Sequence, residues 1–290
     1  GGRQSTPSRS KVSSGRAILP SLAPLARRGA LCQRNPRMDL LTGLGLAAAA
    51  FAAGAINAVA GGGSLVSFPA LLAAGYPSKA ANVTNTVALW PGYVGGSIGY
   101  RGELRRQRGR VIALAAPCIA GSLAGSAILL LTPESAFDAI VPFLILFACG
   151  VMAFQGPLSR LARTAHPPPG GEARVTLPLL AAVFVLAIYG AYFGGGLGII
   201  MLATLAILLP DDLQHSNALK GLLSAVINFA AVAYFALFGP VAWGAVLVMA
   251  AGALAGGYLG AGLARRLGQR WLRIAVITYG VAAALILLAR

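Results

Sequence analysis

The stretch GGGSLVSFPALLAAG at 61–75 decides the fold, because three consecutive glycines stand directly before an apolar run that is too short to cross a membrane. Three more glycines stand at 194–196, 133 residues later, before the apolar run 197–209. Each run has about 12 or 13 residues, whereas a membrane-spanning helix needs about 20. Unwound backbone at membrane depth is tolerated only where it is buried in protein or lines a cavity. The pattern therefore predicts two short hemi-segments, each preceded by a glycine break.

Composition places the rest of the chain in a membrane as well. Of the 290 residues, 57% are hydrophobic and 10% are charged, whereas a soluble domain has roughly 25% charged residues. This excludes a soluble enzyme, a disulfide-stapled secreted domain and a disordered chain. Further apolar segments have the roughly 17–25 residues that a full span requires: 40–60, 82–100, 111–131, 136–155, 176–193, 217–238, 241–264 and 271–289. We predict an all-α polytopic membrane protein with eight full transmembrane helices and two hemi-segments.

An internal repeat divides the chain into two halves. With the offset of 133 residues, Thr84 aligns with Asn217. Further on, the spacing of Gly121 and Gly125 recurs at Gly256 and Gly260, with an offset of 135. Paired, glycine-interrupted segments at corresponding positions are typical of transporters that are built from two structural repeats. The pattern predicts pseudo-symmetric membrane repeats over 38–155 and 176–290, joined by a linker loop over 156–175.

The basic residues divide into a leader and a set of loops. The formal net charge is +16, and eight of the Lys and Arg residues fall within 1–37, which contains no acidic residue. We interpret 1–37 as a disordered basic leader, similar in composition to an organellar transit peptide, or as a start assigned too far upstream or residues added to the chain. A bacterial protein that starts at Met38 is the favoured interpretation. The other basic residues lie in loops rather than in one stripe, so no nucleic-acid partner is expected.

Those loops predict the orientation of the chain. The loop 101–110 carries five arginines and one acidic residue, which favours the cytoplasmic side. The basic loop 265–273 also lies on that side only if each hemi-segment completes a crossing, in which case the two halves are inverted. Re-entrant hemi-segments would make the halves parallel. We favour the inverted arrangement.

The glycine breaks are the candidate binding site. A half-helix that follows a break begins with free N–H groups and the positive end of its dipole, and both attract anions. The predicted backbone donors are those of Gly61, Gly62, Gly63, Ser64, Gly194, Gly195, Gly196 and Leu197. The alternative is that these glycines only allow close packing of helices, which is the interpretation that we give to the pairs at 121/125 and 256/260.

Polar side chains on the helices after each break complete the predicted site. We expect Thr84, Asn85 and Asn217 to act as donors and Lys220 to act as the counter-charge, because an intramembrane cation is a functional hypothesis by default. Helix capping is the alternative for Asn82 and Ser216, and snorkelling towards Asp211 or Asp212 is the alternative for Lys220. Two lone amides, Asn57 and Asn228, are expected to form interhelical hydrogen bonds.

No feature of the sequence predicts an enzyme. The motif GGSIG at 95–99 has the spacing of a hydrolase nucleophile elbow, but it falls within a membrane segment rather than between a strand and a helix. No nucleophile–base pair, metal-ligand cluster or ATP-binding motif stands out, so we expect no cofactor.

Several of these motifs resemble a known family. AINAVAGGGSLVSFPAL (55–71), AANVTNTVALWPG (80–92) and GYRGEL (99–104) resemble the first-half signature of the sulfite exporter TauE/SafE family of membrane permeases, and YGAYFGGGLG (189–198) and NALKG (217–221) resemble its second-half counterpart. The resemblance covers about 38–290. It implies a multi-pass protein of the bacterial inner membrane that moves sulfur-containing or related organic anions, such as sulfite, sulfoacetate or thiosulfate. One departure is Leu202, which stands where the first hemi-segment has Pro69, so the two breaks need not be equivalent.

The sequence therefore predicts a transporter or exporter of a small anion that works by alternating access between two repeats. The expected partners are the anion and the lipid bilayer, and no oligomeric state is indicated. An anion channel and a membrane assembly or accessory protein that transports nothing are the alternatives.

Overall fold

The computed structural model describes residues 1, 39–59, 61–98, 101–157, 160, 174–209, 211, 213–267 and 269–289. The predicted leader over 1–37 falls outside these residues except for Gly1, as does most of the predicted linker. Within the described ranges the chain forms eleven α-helices and no strand. They are α1 (Leu40–Val59), α2 (Ser64–Ala73), α3 (Ser78–Ile98), α4 (Arg101–Arg106), α5 (Arg108–Leu131), α6 (Glu134–Ala153), α7 (Leu177–Tyr192), α8 (Leu197–Leu208), α9 (Leu213–Phe238), α10 (Trp243–Leu267) and α11 (Gln269–Leu288).

The hydropathy of these helices is that of a multi-pass membrane protein. Among the described residues, four helical stretches are long and apolar enough to cross a membrane: Leu40–Ala58, Arg108–Leu131, Glu134–Ala153 and Gln214–Phe238. The other predicted spans also form helices, and three of them have shorter apolar stretches among the described residues: Leu177–Tyr192, Trp243–Leu259 and Arg273–Leu288. Both predicted hemi-segments are helical, with 10 residues in α2 and 12 in α8.

The first helix begins at a polar cap next to the apolar run. The Asp39 carboxylate accepts a hydrogen bond from the backbone N–H of Thr42 at 3.0 Å, which satisfies one of the unpaired donors of the first turn. Two hydrogen bonds from Thr42 hold the pKa of Asp39 below its usual range. The hydroxyl of Thr42 has the larger effect and its N–H the smaller. The polar residue thus defines where α1 starts.

Corresponding pairs of helices pack alike in the two halves of the sequence. Helix α1 packs along α10, and α7 packs along α5. Helix α3 contacts α9 and α10, and α9 contacts α3 and α5. Exchanging α1 with α7, α3 with α9 and α5 with α10 converts each of these contacts into another. The two halves therefore interlock, because each of these interfaces joins one helix of the first half to one helix of the second half.

Glycines make these interlocked interfaces possible. A Cβ atom built on Gly256 of α10 would overlap the carbonyl oxygen of Phe51 on α1, and one built on Gly121 of α5 would overlap the carbonyl oxygen of Phe184 on α7. The two phenylalanines are 133 residues apart and the two glycines 135, which are the offsets of the sequence repeat. Glycine lets the backbones of membrane helices approach closely, so the packing interpretation is confirmed for Gly121 and Gly256.

Two local predictions are wrong because helices extend beyond the apolar segments. The arginine-rich stretch 101–110, predicted as a loop, is mostly helical and forms α4 and the start of α5. Asn82 and Ser216 are not caps, since α3 already begins at Ser78 and α9 at Leu213. In α3 the carbonyl of Pro77 accepts from the N–H of Ala81 at 2.7 Å. Hydrophobicity marks the membrane-embedded part of a helix, whereas its ends continue among polar residues.

Candidate functional site

The first glycine break joins the end of α1 to the start of α2 through a left-handed residue. Gly61 has φ +80°, a conformation that glycine adopts without steric cost. Its N–H donates to the carbonyl of Ile56 at 3.1 Å, which closes the C-terminal turn of α1. After the break, the N–H of Val66 donates to the carbonyl of Gly63 at 2.9 Å.

The second break repeats these hydrogen bonds at equivalent positions. Gly194 has φ +76°, and its N–H donates to the carbonyl of Tyr189 at 3.1 Å. The N–H of Ile199 donates to the carbonyl of Gly196 at 3.0 Å. Each donor and acceptor lies 133 residues after its counterpart in the first break. One difference between the breaks is in the backbone: Gly196 is left-handed with φ +75°, whereas its counterpart Gly63 is helical with φ −61°.

The two breaks meet inside the protein. A Cβ atom built on Gly61 would lie 3.0 Å from the Cα of Gly198, and one built on Gly198 would lie 3.2 Å from the Cα of Gly61. Gly198 is the second residue of α8. The first break therefore contacts the beginning of the second half-helix directly, backbone against backbone.

Lys220 lies beside this contact. Its Cδ would be 3.9 Å from a Cβ atom built on Gly198, and its Nζ donates to Oδ1 of Asn217 at 3.3 Å. No ion pair between Lys220 and a carboxylate is found in the part of the chain that the structure describes. Lys220 is thus a half-buried cation whose polar partner here is a neutral amide.

Snorkelling of Lys220 towards Asp211 is not what the structure shows. Asp211 forms an ion pair with Arg110 at the start of α5, and its other carboxylate oxygen lies 3.3 Å from Nδ1 of His215. The side chains of Arg110 and Asp211 are mostly buried, at 10% and 13% exposure. The other predicted partner, Asp212, lies outside the described residues.

Some of the predicted backbone donors are already used within the breaks. The N–H of Gly63 donates to Oδ1 of Asn57 at 2.7 Å, and that of Leu197 donates to the carbonyl of Gly194 at 3.2 Å. Those of Gly61 and Gly194 close the preceding helices, as described above. Four predicted donors have no hydrogen-bond acceptor among the described residues, and these are the N–H groups of Gly62, Ser64, Gly195 and Gly196.

The two predicted residues of α3 are buried. The hydroxyl oxygen of Thr84 accepts from the N–H of Ala242 at 3.0 Å, which ties α3 to the residue before α10. Asn85 is 2% exposed, and its Oδ1 has no partner within the described ranges. The structure therefore brings Gly61, Asn217 and Lys220 together with Gly198, and it places Thr84 at the contact between α3 and α10.

Comparison with known proteins agrees with this architecture. A family model described as Sulfite exporter TauE/SafE matches residues 46–287, which is most of the chain. The chain belongs to the sulfite exporter TauE/SafE family. The resemblance expected from the motifs is therefore confirmed, and the chain is a membrane transporter of the TauE/SafE family with the apolar helices of a multi-pass protein.

Curated relatives of this TauE/SafE chain carry transporter names. It is 29% identical over 230 residues to the "Probable membrane transporter protein" of Haemophilus influenzae, covering 78% of this chain and 87% of the relative. It is 26% identical to "Probable membrane transporter protein ORF9" of Sinorhizobium sp, covering 83% and 90%. It is 29% identical to "Probable membrane transporter protein YfcA" of Escherichia coli K12, covering 79% and 82%. No solved structure matches the chain.

Three residues of the TauE/SafE site were missed or misread in the sequence. Asn57 was expected to bond another helix, but it binds Gly63 in its own break. Tyr189 donates its hydroxyl to the carbonyl of Gly195 and so stabilises the second break. Gly198 was not singled out as a site residue, although its place one residue after Leu197 and the preceding glycines is a signal for close backbone contact.

Proposed function

We propose that this chain transports a small anion, sulfur-containing or organic, through a site where the two glycine breaks meet. The observation that carries the proposal is the position of Lys220 beside the contact between Gly61 and Gly198. A buried positive charge without a carboxylate partner favours a negatively charged ligand, because the ligand would neutralise it. The N-terminal ends of α2 and α8 add two partial positive charges of the same sign.

The class of anion is inferred from the family description and from the hydrogen-bond donors that lie near the two glycine breaks. The family description names sulfite, and sulfite, sulfoacetate and thiosulfate are small oxyanions that can accept hydrogen bonds from an ammonium group and from backbone N–H groups. Asn217, which already contacts Lys220, would hold the ammonium group in place or donate its amide to the anion. Gly62, Ser64, Gly195 and Gly196 supply candidate N–H donors.

We also propose eight full transmembrane helices and two hemi-segments that each complete a crossing, arranged as two inverted repeats in the bacterial inner membrane, with alternating access between the repeats. The matched hydrogen bonds of the breaks and the exchanged helix contacts support this arrangement. Helices of the two repeats interlock, α1 with α10 and α5 with α7, so access would alternate by a change in how these interlocked helices pack.

Uptake into proteoliposomes tests the transport proposal. The purified protein is reconstituted, and uptake of labelled sulfite, thiosulfate, sulfoacetate and small carboxylates is measured against concentration. Saturable uptake with counterflow for at least one anion is the expected result. Flux that stays linear and shows no counterflow would indicate a channel, and no flux for any anion would indicate a protein that does not transport.

Cysteine labelling tests the inverted arrangement separately. Single cysteines introduced by Glu103→Cys and Gly268→Cys are labelled with an impermeant reagent from either side of the membrane. Inverted repeats predict that both positions react from the cytoplasmic side. Reaction from opposite sides would reject the inverted arrangement while leaving the transport proposal in place.

A further inference from the structure

Two buried amide oxygens on α3 have no hydrogen-bond donor among the described residues. Asn82 and Asn85 are 1% and 2% exposed. The Oδ1 atom of each lacks a hydrogen-bond partner in the described part of the chain. The two residues are three apart, so their side chains lie on one face of the helix. A buried acceptor without a donor is energetically unfavourable, so two on one helix face suggest that a ligand binds there.

The orientation of Asn82 is fixed by its other hydrogen bond. Its Nδ2 donates to the carbonyl oxygen of Tyr192 at 2.8 Å. Turning the amide over would place its oxygen against that carbonyl oxygen and lose the bond, so the oxygen must be the unpartnered atom. Tyr192 is the last residue of α7, where helix carbonyls lack intrahelical donors and the dipole is negative. Asn82 therefore directs its amide N–H to the C-terminal end of α7, while its own oxygen atom has no donor among the described residues.

Buried oxygen atoms that can only accept hydrogen bonds suit a cation rather than an anion. Neither α3 nor α7 contains an acidic residue, so a divalent ion would be buried there without compensating charge. Neutral carbonyl oxygens at the ends of interrupted membrane helices are typical ligands for a coupling ion such as Na⁺. Ring contacts of Tyr192 with Phe137, at 5.9 Å, and of Phe193 with Phe68, at 5.6 Å, place aromatic side chains around the end of α7.

Acidic side chains of α6 lie near the N-terminal end of α3. Ser78, one turn before Asn82, donates its hydroxyl to Asp138 and to Glu134, which begin α6. The ammonium group of Lys79 is directed to the backbone carbonyls of Leu130 and Thr132. The exposed carboxylates would raise the local concentration of cations at this end of α3.

We propose that Asn82 and Asn85, together with carbonyl oxygens at the C-terminal end of α7, form a Na⁺ site that couples ion binding to anion transport. The coupling part rests on the proposed function. Tyr192 is two residues before Gly194, so an ion bound there contacts the chain that leads into the second break. The offset of 133 places His215 and Ala218 at the corresponding positions of the second half, so the repeat does not duplicate the amide pair and one ion per chain is expected.

Thermal unfolding of the purified protein measures the Na⁺ site without relying on transport. The unfolding midpoint is recorded in NaCl, KCl and choline chloride at equal ionic strength. A ligand that binds the folded state raises the midpoint with its concentration, so we expect a saturable rise in NaCl that is absent in choline chloride. Asn85→Leu, which removes the oxygen at similar volume, should abolish the rise.

Two further variants serve as a control for buried amides and as an alternative to Asn85→Leu. Asn228→Ala is the matched control, because Asn228 is a buried amide that donates to the carbonyl of Ser224 at 2.8 Å in its own helix; it should keep the Na⁺ response. Asn85→Asp, which retains the oxygens and adds a charge, should reach half-saturation at a lower Na⁺ concentration. It provides the result if Asn85→Leu does not fold.

Equal midpoints in NaCl and choline chloride for the unaltered protein would overturn the proposal and assign the two oxygens to buried water. A Na⁺ response that survives in Asn85→Leu would also overturn it. Either outcome leaves the anion proposal standing if saturable anion uptake is found. A Na⁺ response without anion flux would instead contradict the proposed transport function and leave the ion site in place.

Discussion

Gly61 and Gly198 face each other with no room for a side chain, since a Cβ atom on Gly61 would lie 3.0 Å from the Cα of Gly198. The two residues belong to different halves of the sequence, and each adjoins one of the two glycine breaks. Their contact brings the first break against the start of the half-helix that follows the second break. It also places the start of α8 within reach of Lys220, whose Cδ is 3.9 Å from the Cβ position of Gly198.

The first prediction concerns that contact. Gly61→Ala should destabilise the protein by about 1–2 kcal/mol, because a residue with a Cβ atom is strained at a left-handed φ, and it should also impair uptake by pushing the breaks apart. Gly150→Ala is the control, since a Cβ atom there meets nothing within 4 Å. Thermal unfolding and uptake are compared for both variants. Normal uptake by Gly61→Ala would show that the close contact is dispensable.

The interlocked interfaces are the subject of the second prediction. Gly256→Ala and Gly121→Ala should each destabilise the fold by about 1–3 kcal/mol, because the added methyl group overlaps a carbonyl oxygen of the facing helix. Gly43→Ala on α1 should have no such effect, as its Cβ position is open. The measurement is the thermal unfolding midpoint of each of the three variants, compared with that of the unaltered protein. A midpoint for Gly256→Ala equal to that of Gly43→Ala would contradict the packing of α1 on α10.

Asn57 is predicted to hold the first break in shape. Asn57→Ala removes the acceptor of the buried Gly63 N–H and should destabilise the protein by about 1–3 kcal/mol. Asn57→Asp keeps an acceptor oxygen at the same place and should recover part of that loss. The comparison of the two unfolding curves is the measurement. Equal losses in both variants would mean that the hydrogen bond to Gly63 does not matter.

The ion pair between Arg110 and Asp211 is predicted to show strong coupling. Removing one partner takes the opposite charge away from a mostly buried group and should lower stability by about 3–5 kcal/mol. Arg110→Met combined with Asp211→Leu should lower it by less than the sum of the single changes, since no isolated charge remains. A double-mutant cycle of thermal unfolding measures this coupling. Additive single losses would indicate that the two side chains are not paired in the folded protein.

Much of the architecture could be predicted from hydropathy and glycine spacing. The short segments after the glycines are helices, and Gly121 and Gly256 pack as small residues do in membranes. The partners of particular side chains could not be predicted in the same way. Whether Lys220 reaches Asp211 depends on Arg110, which is 101 residues away from that carboxylate in the chain and carries no local signal. Likewise, Thr84 meets the N–H of Ala242 only because α3 packs on α10.

The helix ends show the same limitation at short range. Asn82 has the residue type of a cap, and it stands where the apolar segment begins, yet α3 starts one turn earlier at Ser78. Its true partner, the carbonyl of Tyr192, is 110 residues away. Sequence patterns describe a helix and its buried face, whereas the hydrogen bonds of polar side chains follow from which helices become neighbours.

The most direct test of the account is uptake of a labelled anion by proteoliposomes that contain Lys220→Gln. A hydrogen bond to a charged group contributes about 1.5–3 kcal/mol, so the account predicts that KM for the anion rises by about tenfold or more, or that saturable uptake disappears. Lys79→Gln is the matched control, because that ammonium group is held by backbone carbonyls away from the breaks. Uptake by Lys220→Gln with the KM and maximum rate of the unaltered protein would contradict the central claim.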